Sequence, residues 1–184
     1  MRDLALAALL ALAPAAVHAQ AAPPAAGPQV EVRTGPALAA KTEDYGAREL
    51  AFLNTALART LRGSAAKGGW TRLDLVLEDA VPNRPTYVML GRSSNLSLDT
   101  VALGGAQVTG TAYGPAGAQP LRFGWWDIDL RDVRGFGTWT GAERAFQALG
   151  GELARGRVPD RLQPAPPTSR PSPSLRSAFR AKGS

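Results

Sequence analysis

Apolar residues recur at helical spacing between residues 42 and 63. Four leucines follow one another at steps of three and four residues: Leu50, Leu53, Leu57 and Leu61. This spacing places them on one side of an α-helix. Acidic residues lie near the start of the segment and arginines near its end, as the helix dipole favours, and Gly63 stands where the helix is expected to end. The pattern predicts an amphipathic helix that buries its leucine side.

A second helix is predicted between residues 138 and 156. Its apolar stripe consists of Ala142, Phe146, Leu149 and Leu153. Thr140 and Glu143 have the spacing of a capping box, in which each side chain bonds the backbone N–H of the other. The pair Gly150 and Gly151 weakens this helix by about 1 kcal/mol per glycine relative to alanine.

Strand patterns precede and follow the first helix. Residues 29–34 alternate apolar and polar side chains over a short segment. In residues 72–78, Leu73, Leu75 and Leu77 alternate with Asp74, Val76 and Glu78. This period of two is typical of a strand with one buried face.

Residues 104–130 predict a β-hairpin, because a break rich in glycine and proline at residues 114–120 separates two alternating runs. We expect Tyr113 opposite Leu121. This register pairs Val108 with Trp126, Ala106 with Ile128 and Gly110 with Gly124 on the buried face. The opposite face then carries a set that is unusually aromatic for a solvated surface: Thr109, Thr111, Tyr113, Phe123, Trp125, Asp127 and Asp129.

Together these elements predict an α+β fold. We expect a two-layer sandwich with a mainly antiparallel sheet of four to six strands and two helices on one face. The single domain is predicted to span residues 29–162, a length that buries roughly two-thirds of the surface of the unfolded chain.

Both ends of the chain differ in composition from this domain. Residues 1–19 combine a charged start, an apolar run and a small-residue site, which predicts a signal peptide cleaved near Ala19. The apolar run is shorter than the roughly 20 residues of a transmembrane helix. Residues 20–28 form a Pro/Ala spacer, and residues 163–184 form a Pro/Ser tail that is expected to be disordered. The predicted location is therefore periplasmic or secreted.

Two missing residue types restrict the chemistry. The chain has no cysteine, and its single histidine, His18, lies within the predicted signal peptide. The cleaved chain would lack Ser-His and Cys-His nucleophiles and any ordinary zinc site. We therefore expect a protein without cofactor or metal, and the sequence favours a non-enzymatic role.

The positive charge is concentrated in the tail. From Arg161 onward the chain carries five basic residues and no acidic one, against a formal net charge of +6 for the whole sequence. The domain itself is nearly neutral, so no specific nucleic-acid site is predicted. The charge of the tail suits contacts with anionic surfaces.

The loop after the leucine strand, residues 79–86, contains Asn83 and Arg84 between two prolines. One interpretation is a rigid strand exit in which Asn83 bonds locally and Arg84 pairs with Glu78 or Asp79. The other is a stiff loop that presents an amide and a guanidinium to a partner. Asp127 and Asp129 alternate with apolar residues, which favours a strand over a calcium loop or a glycosidase pair.

A resemblance extends over residues 29–156. The stretches EDAVPNRPT, GGAQVTGT and TWTGAERAF occur in an order that resembles a family of small envelope proteins and lipoproteins of Gram-negative bacteria with no settled activity. The resemblance implies a periplasmic or outer-membrane-associated α+β domain, with Asn83, Arg84 and Pro85 matching its loop motif. This chain lacks the cysteine that anchors the lipoprotein members.

These observations predict an exported, non-enzymatic envelope interaction protein. Its candidate binding residues are Asn83, Arg84, Tyr113, Trp125, Asp127 and Asp129. The partner is expected to be an envelope protein or a glycan. Two alternatives remain open: a polysaccharide-binding or carbohydrate-active domain that uses the aromatic and carboxylate face, and a homodimer formed through that face.

Overall fold

The computed structural model describes residues 27–129, 131 and 135–163. The predicted signal peptide, most of the spacer and the tail from residue 164 lie outside the described residues. The predicted α+β class is confirmed, because the described residues form several helices and a sheet whose central strands are antiparallel. The elements are β1 (Gln29–Thr34), α1 (Pro36–Ala39), α2 (Thr42–Tyr45), α3 (Ala47–Lys67), β2 (Arg72–Val81), α4 (Tyr87–Arg92), β3 (Gly105–Gly114), β4 (Gly117–Trp126), α5 (Thr140–Ala154) and β5 (Asp160–Leu162).

The five described strands form one open sheet in the order β1-β2-β3-β4-β5. The two central pairings, β2 with β3 and β3 with β4, are antiparallel. The outer pairings, β1 with β2 and β4 with β5, are parallel. The sheet is therefore mixed. Each edge strand runs parallel to its neighbour, which is possible because a helix rather than a hairpin connects the two strands.

The first predicted helix is interrupted at its start and continues beyond its predicted end. Gly46 adopts a φ of +97° and separates α2 from α3. Gly63 lies inside α3, which continues to Lys67. The side of α3 at Gly63 faces solvent, so the cost of about 1 kcal/mol for a helical glycine is offset by burial of Leu61 before it and Ala65 after it.

Helix α5 follows the predicted bounds, but the predicted capping box is wrong. The helix begins at Thr140, and its N-cap residue is Trp139, whose side chain makes no capping bond. The Thr140 hydroxyl accepts a hydrogen bond from the Gly137 nitrogen instead. The first turn of α5 therefore needs hydrogen-bond acceptors from elsewhere in the fold.

The apolar core joins the two long helices to the sheet. The leucine stripe of α3, the Phe146 stripe of α5 and the leucines of β2 are all buried in one cluster. The same cluster contains five buried side chains of β3 and β4: Ala106, Val108, Ala112, Leu121 and Phe123.

The predicted hairpin register is wrong by three residues. Gly110 lies opposite Leu121, and Val108 lies opposite Phe123. A two-residue turn at residues 115–116 connects Gly114 with Gly117, so β4 begins earlier than predicted. Because the shift is an odd number of residues, the two faces of β4 are exchanged. Phe123, predicted on the solvated face, is a core residue.

Candidate functional site

Asn83 is fully buried and connects three separate parts of the chain. Its side-chain nitrogen donates to Asp127 Oδ2 at 2.7 Å and to the carbonyl of Ala102 at 3.2 Å. Its side-chain oxygen accepts a 2.6 Å hydrogen bond from the backbone nitrogen of Gly141, in the first turn of α5. The amide therefore bonds at long range and caps α5, instead of bonding in a local turn or facing solvent.

Asp127 lies beside Asn83 and is 6% exposed. Its Oδ2 also accepts a hydrogen bond of 3.2 Å from the Gly104 nitrogen. A Cβ atom at Gly141 would stand 2.7 Å from Asp127 Oδ2 and 2.8 Å from Asn83 Oδ1, closer than real Cβ atoms approach. Only glycine fits there. We call Asn83, Gly104, Asp127 and Gly141 the Asn83 cluster, and its geometry is that of a structural joint.

Arg84 joins two loops to the exit of β2. Its Nε donates to the carbonyl of Phe136 at 2.6 Å, and its Nη1 donates to the carbonyl of Leu98 at 2.5 Å. The predicted pairing with Glu78 or Asp79 is wrong, because these carboxylates accept hydrogen bonds from a threonine and a lysine. The guanidinium is thus half-buried and bonded to backbone.

Asp129 and Asp127 have different hydrogen-bond partners. Asp129 accepts a hydrogen bond from Arg131 Nη2 at 2.6 Å, and this bond holds the pKa of the Asp129 carboxyl below its usual value. In the described part of the chain, no three acidic or histidine side chains lie close enough to hold a metal ion.

The remaining two predicted residues lie far apart. Trp125 is half-buried and packs against the apolar core, opposite Ala106. Tyr113 lies at the other end of β3, where the guanidinium of Arg72 stands 5.4 Å from its ring. The predicted aromatic sheet face is therefore not assembled, and Tyr113 is the aromatic residue that stays on the polar side of β3.

A groove lined by aromatic side chains lies elsewhere, where α2, α3 and α4 meet. Its volume is about 770 Å³. We define the aromatic groove by five apolar side chains: Tyr45, Phe52, Tyr87, Val88 and Trp139. Arg48 and Glu49 also line it. Tyr87 is 84% exposed and Phe52 is 44% exposed, whereas Trp139 is 4% exposed. The groove thus has a buried aromatic floor and exposed apolar walls.

The backbone around Gly46 shapes one wall of the groove. Its positive φ favours glycine, since an L side chain is strained in this conformation. A Cβ at this position would also stand 3.0 Å from Val88 Cγ2. Glycine therefore allows the chain to turn sharply from α2 into α3 and allows α4 to approach closely.

Helix α4 carries the opposite wall. Thr86 caps it, since its hydroxyl accepts a 3.2 Å hydrogen bond from the Met89 nitrogen. Arg92 Nη1 lies 3.5 Å from Asp44 Oδ1, which links the end of α4 to α2. These contacts hold Tyr87 and Val88 in place without burying them.

The floor of the groove is held by polar as well as apolar contacts. The indole N–H of Trp139 donates to Glu49 Oε2 at 2.6 Å. The rings of Tyr45 and Trp139 meet edge to face with their centroids 5.5 Å apart. This geometry is favourable for aromatic pairs, so contacts within the protein position both rings of the floor.

Tyr45 has a perturbed acidity. Burial, followed by the nearby charges of Asp79 and Asp44, raises the pKa of Tyr45 to about 12. The Lys41 ammonium donates to Asp79 at 2.5 Å and stands 5.7 Å from the centre of the Tyr45 ring. Tyr45 is therefore a neutral phenol at physiological pH and suits packing rather than proton transfer.

The sequence contained weak signals for this groove. Phe52 lies outside the leucine stripe of α3, so the periodicity alone marks it as an exposed apolar residue. Tyr87 and Val88 follow the Pro85–Thr86 pair, which is typical of a helix start. No local sequence pattern indicates that these residues lie close to Trp139, which is distant from them in the chain.

Comparison of the chain with protein-family models, with curated proteins and with solved structures gives no match. Within the described residues, no helix combines the length and apolar character needed to cross a membrane.

Proposed function

We propose that this protein is an exported, non-enzymatic binding protein of the cell envelope, and that the aromatic groove is its recognition surface. The observation that carries the proposal is the exposure of Tyr87 and Phe52 above a buried floor of Tyr45 and Trp139. Aromatic residues of this kind dominate the energetics of protein interfaces. A floor whose side chains are already positioned by internal contacts also reduces the entropy lost on binding.

The groove favours a polypeptide partner. Trp139 Nε1 and Glu49 Oε2 satisfy each other, and Phe52 and Val88 offer no hydrogen-bonding side-chain groups. Apolar side chains of a polypeptide fit such a surface by excluding water. A glycan is the second candidate, because Arg48 and the other oxygen of Glu49 lie beside the rings and suit sugar hydroxyls.

The proposal also includes an arrangement of the two long helices relative to the sheet. We take α3 and α5 to cover one face of the sheet in a two-layer sandwich. The support is the single apolar cluster that contains the stripes of both helices and the leucines of β2. With that layer in place, the aromatic groove lies at one end of the helical layer.

Export is the part of the proposal that rests on the N-terminal sequence. The Val17-His18-Ala19 site predicts that protein recovered from the periplasm begins at Gln20. Intact-mass measurement of that protein tests the prediction. A soluble form that retains Met1 contradicts it.

Site-specific photo-crosslinking in Gram-negative cells tests the groove. A photoreactive residue replaces Tyr87 in one variant and Ile128 in the other, since both positions are 84% exposed and Ile128 lies outside the groove. We expect a defined polypeptide adduct from position 87 that disappears with the additional change Phe52→Ala. The same adduct from both positions, or an adduct that is insensitive to Phe52→Ala, refutes the groove.

Binding measurements with the purified partner distinguish the two candidate ligands. Tyr87→Ala is expected to weaken binding of the crosslinked polypeptide by at least about tenfold, as for an interface hot spot, while Ile128→Ala leaves it unchanged. Saturable binding of soluble cell-wall glycans that depends on Tyr87, without a polypeptide adduct, would assign the groove to sugars.

A further inference from the structure

Strand β1 forms one edge of the sheet, and its outer side pairs with no described strand. On the inner side, the backbone nitrogen of Gln29 donates to the carbonyl of Thr71, just before β2, at 3.0 Å, and that of Gly35 donates to the carbonyl of Leu77 in β2 at 2.8 Å. Because hydrogen-bonding direction alternates along a strand, Val30, Val32 and Thr34 direct their N–H and C=O groups to the open edge. These are the groups that an added strand would bond.

A groove of about 400 Å³ runs between this edge and the outer side of α3. It is separate from the aromatic groove and is lined by Val32, Asn54, Thr55, Ala58, Arg59 and Arg62. Asn54 donates to Thr34 Oγ1 at 2.7 Å, but its buried Oδ1 has no hydrogen-bond partner in the described part of the chain. Unpaired buried acceptors are uncommon in folded proteins.

The charged residues that line the groove beside β1, Arg59 and Arg62, are both positive. Arg59 and Arg62 form no ion pair among the described residues. The exposed charges of β1 itself, Glu31 and Arg33, stand 4.0 Å apart and balance each other. Residues 50–67 of α3 contain no acidic residue. An occupant of this groove therefore meets two uncompensated guanidinium groups.

We propose that β1 and the adjoining side of α3 bind an extended acidic segment of a partner protein. The segment adds to the sheet as a sixth strand, with its backbone bonded to Val30, Val32 and Thr34. Its carboxylates on the helix side pair with Arg59 and Arg62, as in known recognition by strand addition, where side chains reach an adjacent groove.

Charge argues against the two other occupants of this edge. A second copy paired through β1 would place its own α3 beside this one and bring the arginines of both copies together. The tail of this chain has no acidic residue after Asp160. Neither provides the carboxylates that the groove requires.

The test uses the full chain and an alternating Glu-Val peptide of about eight residues, a length within the usual range of strands. Amide hydrogen exchange followed by NMR is expected to show protection of Val30, Val32 and Thr34 when the peptide is added. Two peptides methylated on alternate backbone nitrogens serve as controls, since one blocks the bonds to β1 and the other leaves them free. One of the two is expected to lose binding.

Charge reversal tests the helix side of the groove. The double change Arg59→Glu and Arg62→Glu is expected to weaken peptide binding at least tenfold, whereas Lys67→Glu, on the same helix outside the groove, has a much smaller effect. The proposal is overturned if the acidic peptide does not bind at millimolar concentration, or if a Lys-Val peptide binds equally well. It is also overturned if sedimentation shows a dimer in which β1 is protected without peptide.

Discussion

The change Asn83→Ala tests whether the Asn83 cluster is a structural joint. The substitution removes the donor to Asp127 and Ala102 and the acceptor for the Gly141 nitrogen. Gly141 and Asp127 are buried, so water reaches the lost hydrogen-bonding groups only if the surrounding chain rearranges. No contact of the aromatic groove is changed directly.

The magnitude follows from these bonds. A hydrogen bond inside a protein contributes about 1 kcal/mol, and one to a charged group about 1.5–3 kcal/mol. Leaving the buried Gly141 N–H without an acceptor costs a further 1–3 kcal/mol, approximately. With partial relaxation of the loop, we expect Asn83→Ala to lower the free energy of unfolding by about 3–5 kcal/mol, a large part of the roughly 5–15 kcal/mol of a small domain.

Urea denaturation followed by tryptophan fluorescence measures this loss. The control is Asn95→Ala, since Asn95 is exposed on a loop and its replacement should change the free energy by less than about 0.5 kcal/mol. The dependence of the free energy on urea should be the same in both variants. A loss below about 1 kcal/mol for Asn83→Ala would refute the assignment of the cluster as a joint.

Three further changes give measurable outcomes. Since burial raises the pKa of Tyr45 to about 12, the folded protein keeps a proton that the unfolded chain loses near pH 10. The resulting stability, about 2 kcal/mol after solvent screening, is present below pH 10 and lost towards pH 12. Tyr45→Phe should abolish that part of the alkaline decline in urea titrations, and an unchanged decline would contradict it. Gly141→Ala should lower the melting temperature by several degrees, because its Cβ meets Asp127 and Asn83, whereas an unchanged melting temperature would show that the loop moves freely. Trp126→Ala should lower the free energy of unfolding by about 3–5 kcal/mol, since Trp126 is 2% exposed and its indole N–H donates to the Gln163 carbonyl. Trp125→Ala should lower it by less. A larger loss for Trp125→Ala in urea denaturation would contradict the observed packing.

Periodicity was a sufficient guide where one face of an element is buried. The leucines of α3 and β2 repeat at 3.6 and 2 residues, and both elements formed with those faces in the core. The sequence also favoured an end at Gly63, because a glycine is most common just after a helix. Burial of Ala65 in the next turn decided the outcome, and that contact is not visible in the local sequence.

The error in the predicted hairpin register comes from Pro120. The sequence pattern places Pro120 in the turn, whereas the structure pairs it with Thr111 inside the hairpin. Arg122 donates its backbone N–H to Pro159, on the side of β4 away from β3. Two residues earlier, Pro120 presents its nitrogen in the same direction, where no described strand pairs with it. A proline there removes no ladder bond, which is why β4 begins at Gly117. Local rules do not reveal which side of a strand will be open.

The candidate sites depended on contacts between distant residues. The sequence makes Asn83 a candidate because it lies on a loop between two prolines, and Asp127 a candidate because the expected register places it on the solvated face of the hairpin. Their hydrogen bond spans 44 positions of the chain, and no sequence spacing predicts it. The aromatic groove was missed for the same reason, since Tyr45, Tyr87 and Trp139 come from three separate segments.

The Asn83 cluster also has a consequence for the folding pathway. Its bonds join residues 19, 44 and 58 positions apart, so closing them costs loop entropy that only an assembled sheet offsets. The cluster should therefore form after the main folding barrier, and Asn83→Ala should accelerate unfolding while leaving the folding rate nearly unchanged. These late contacts would set the lifetime of the folded state, which governs resistance to irreversible unfolding and to proteolysis.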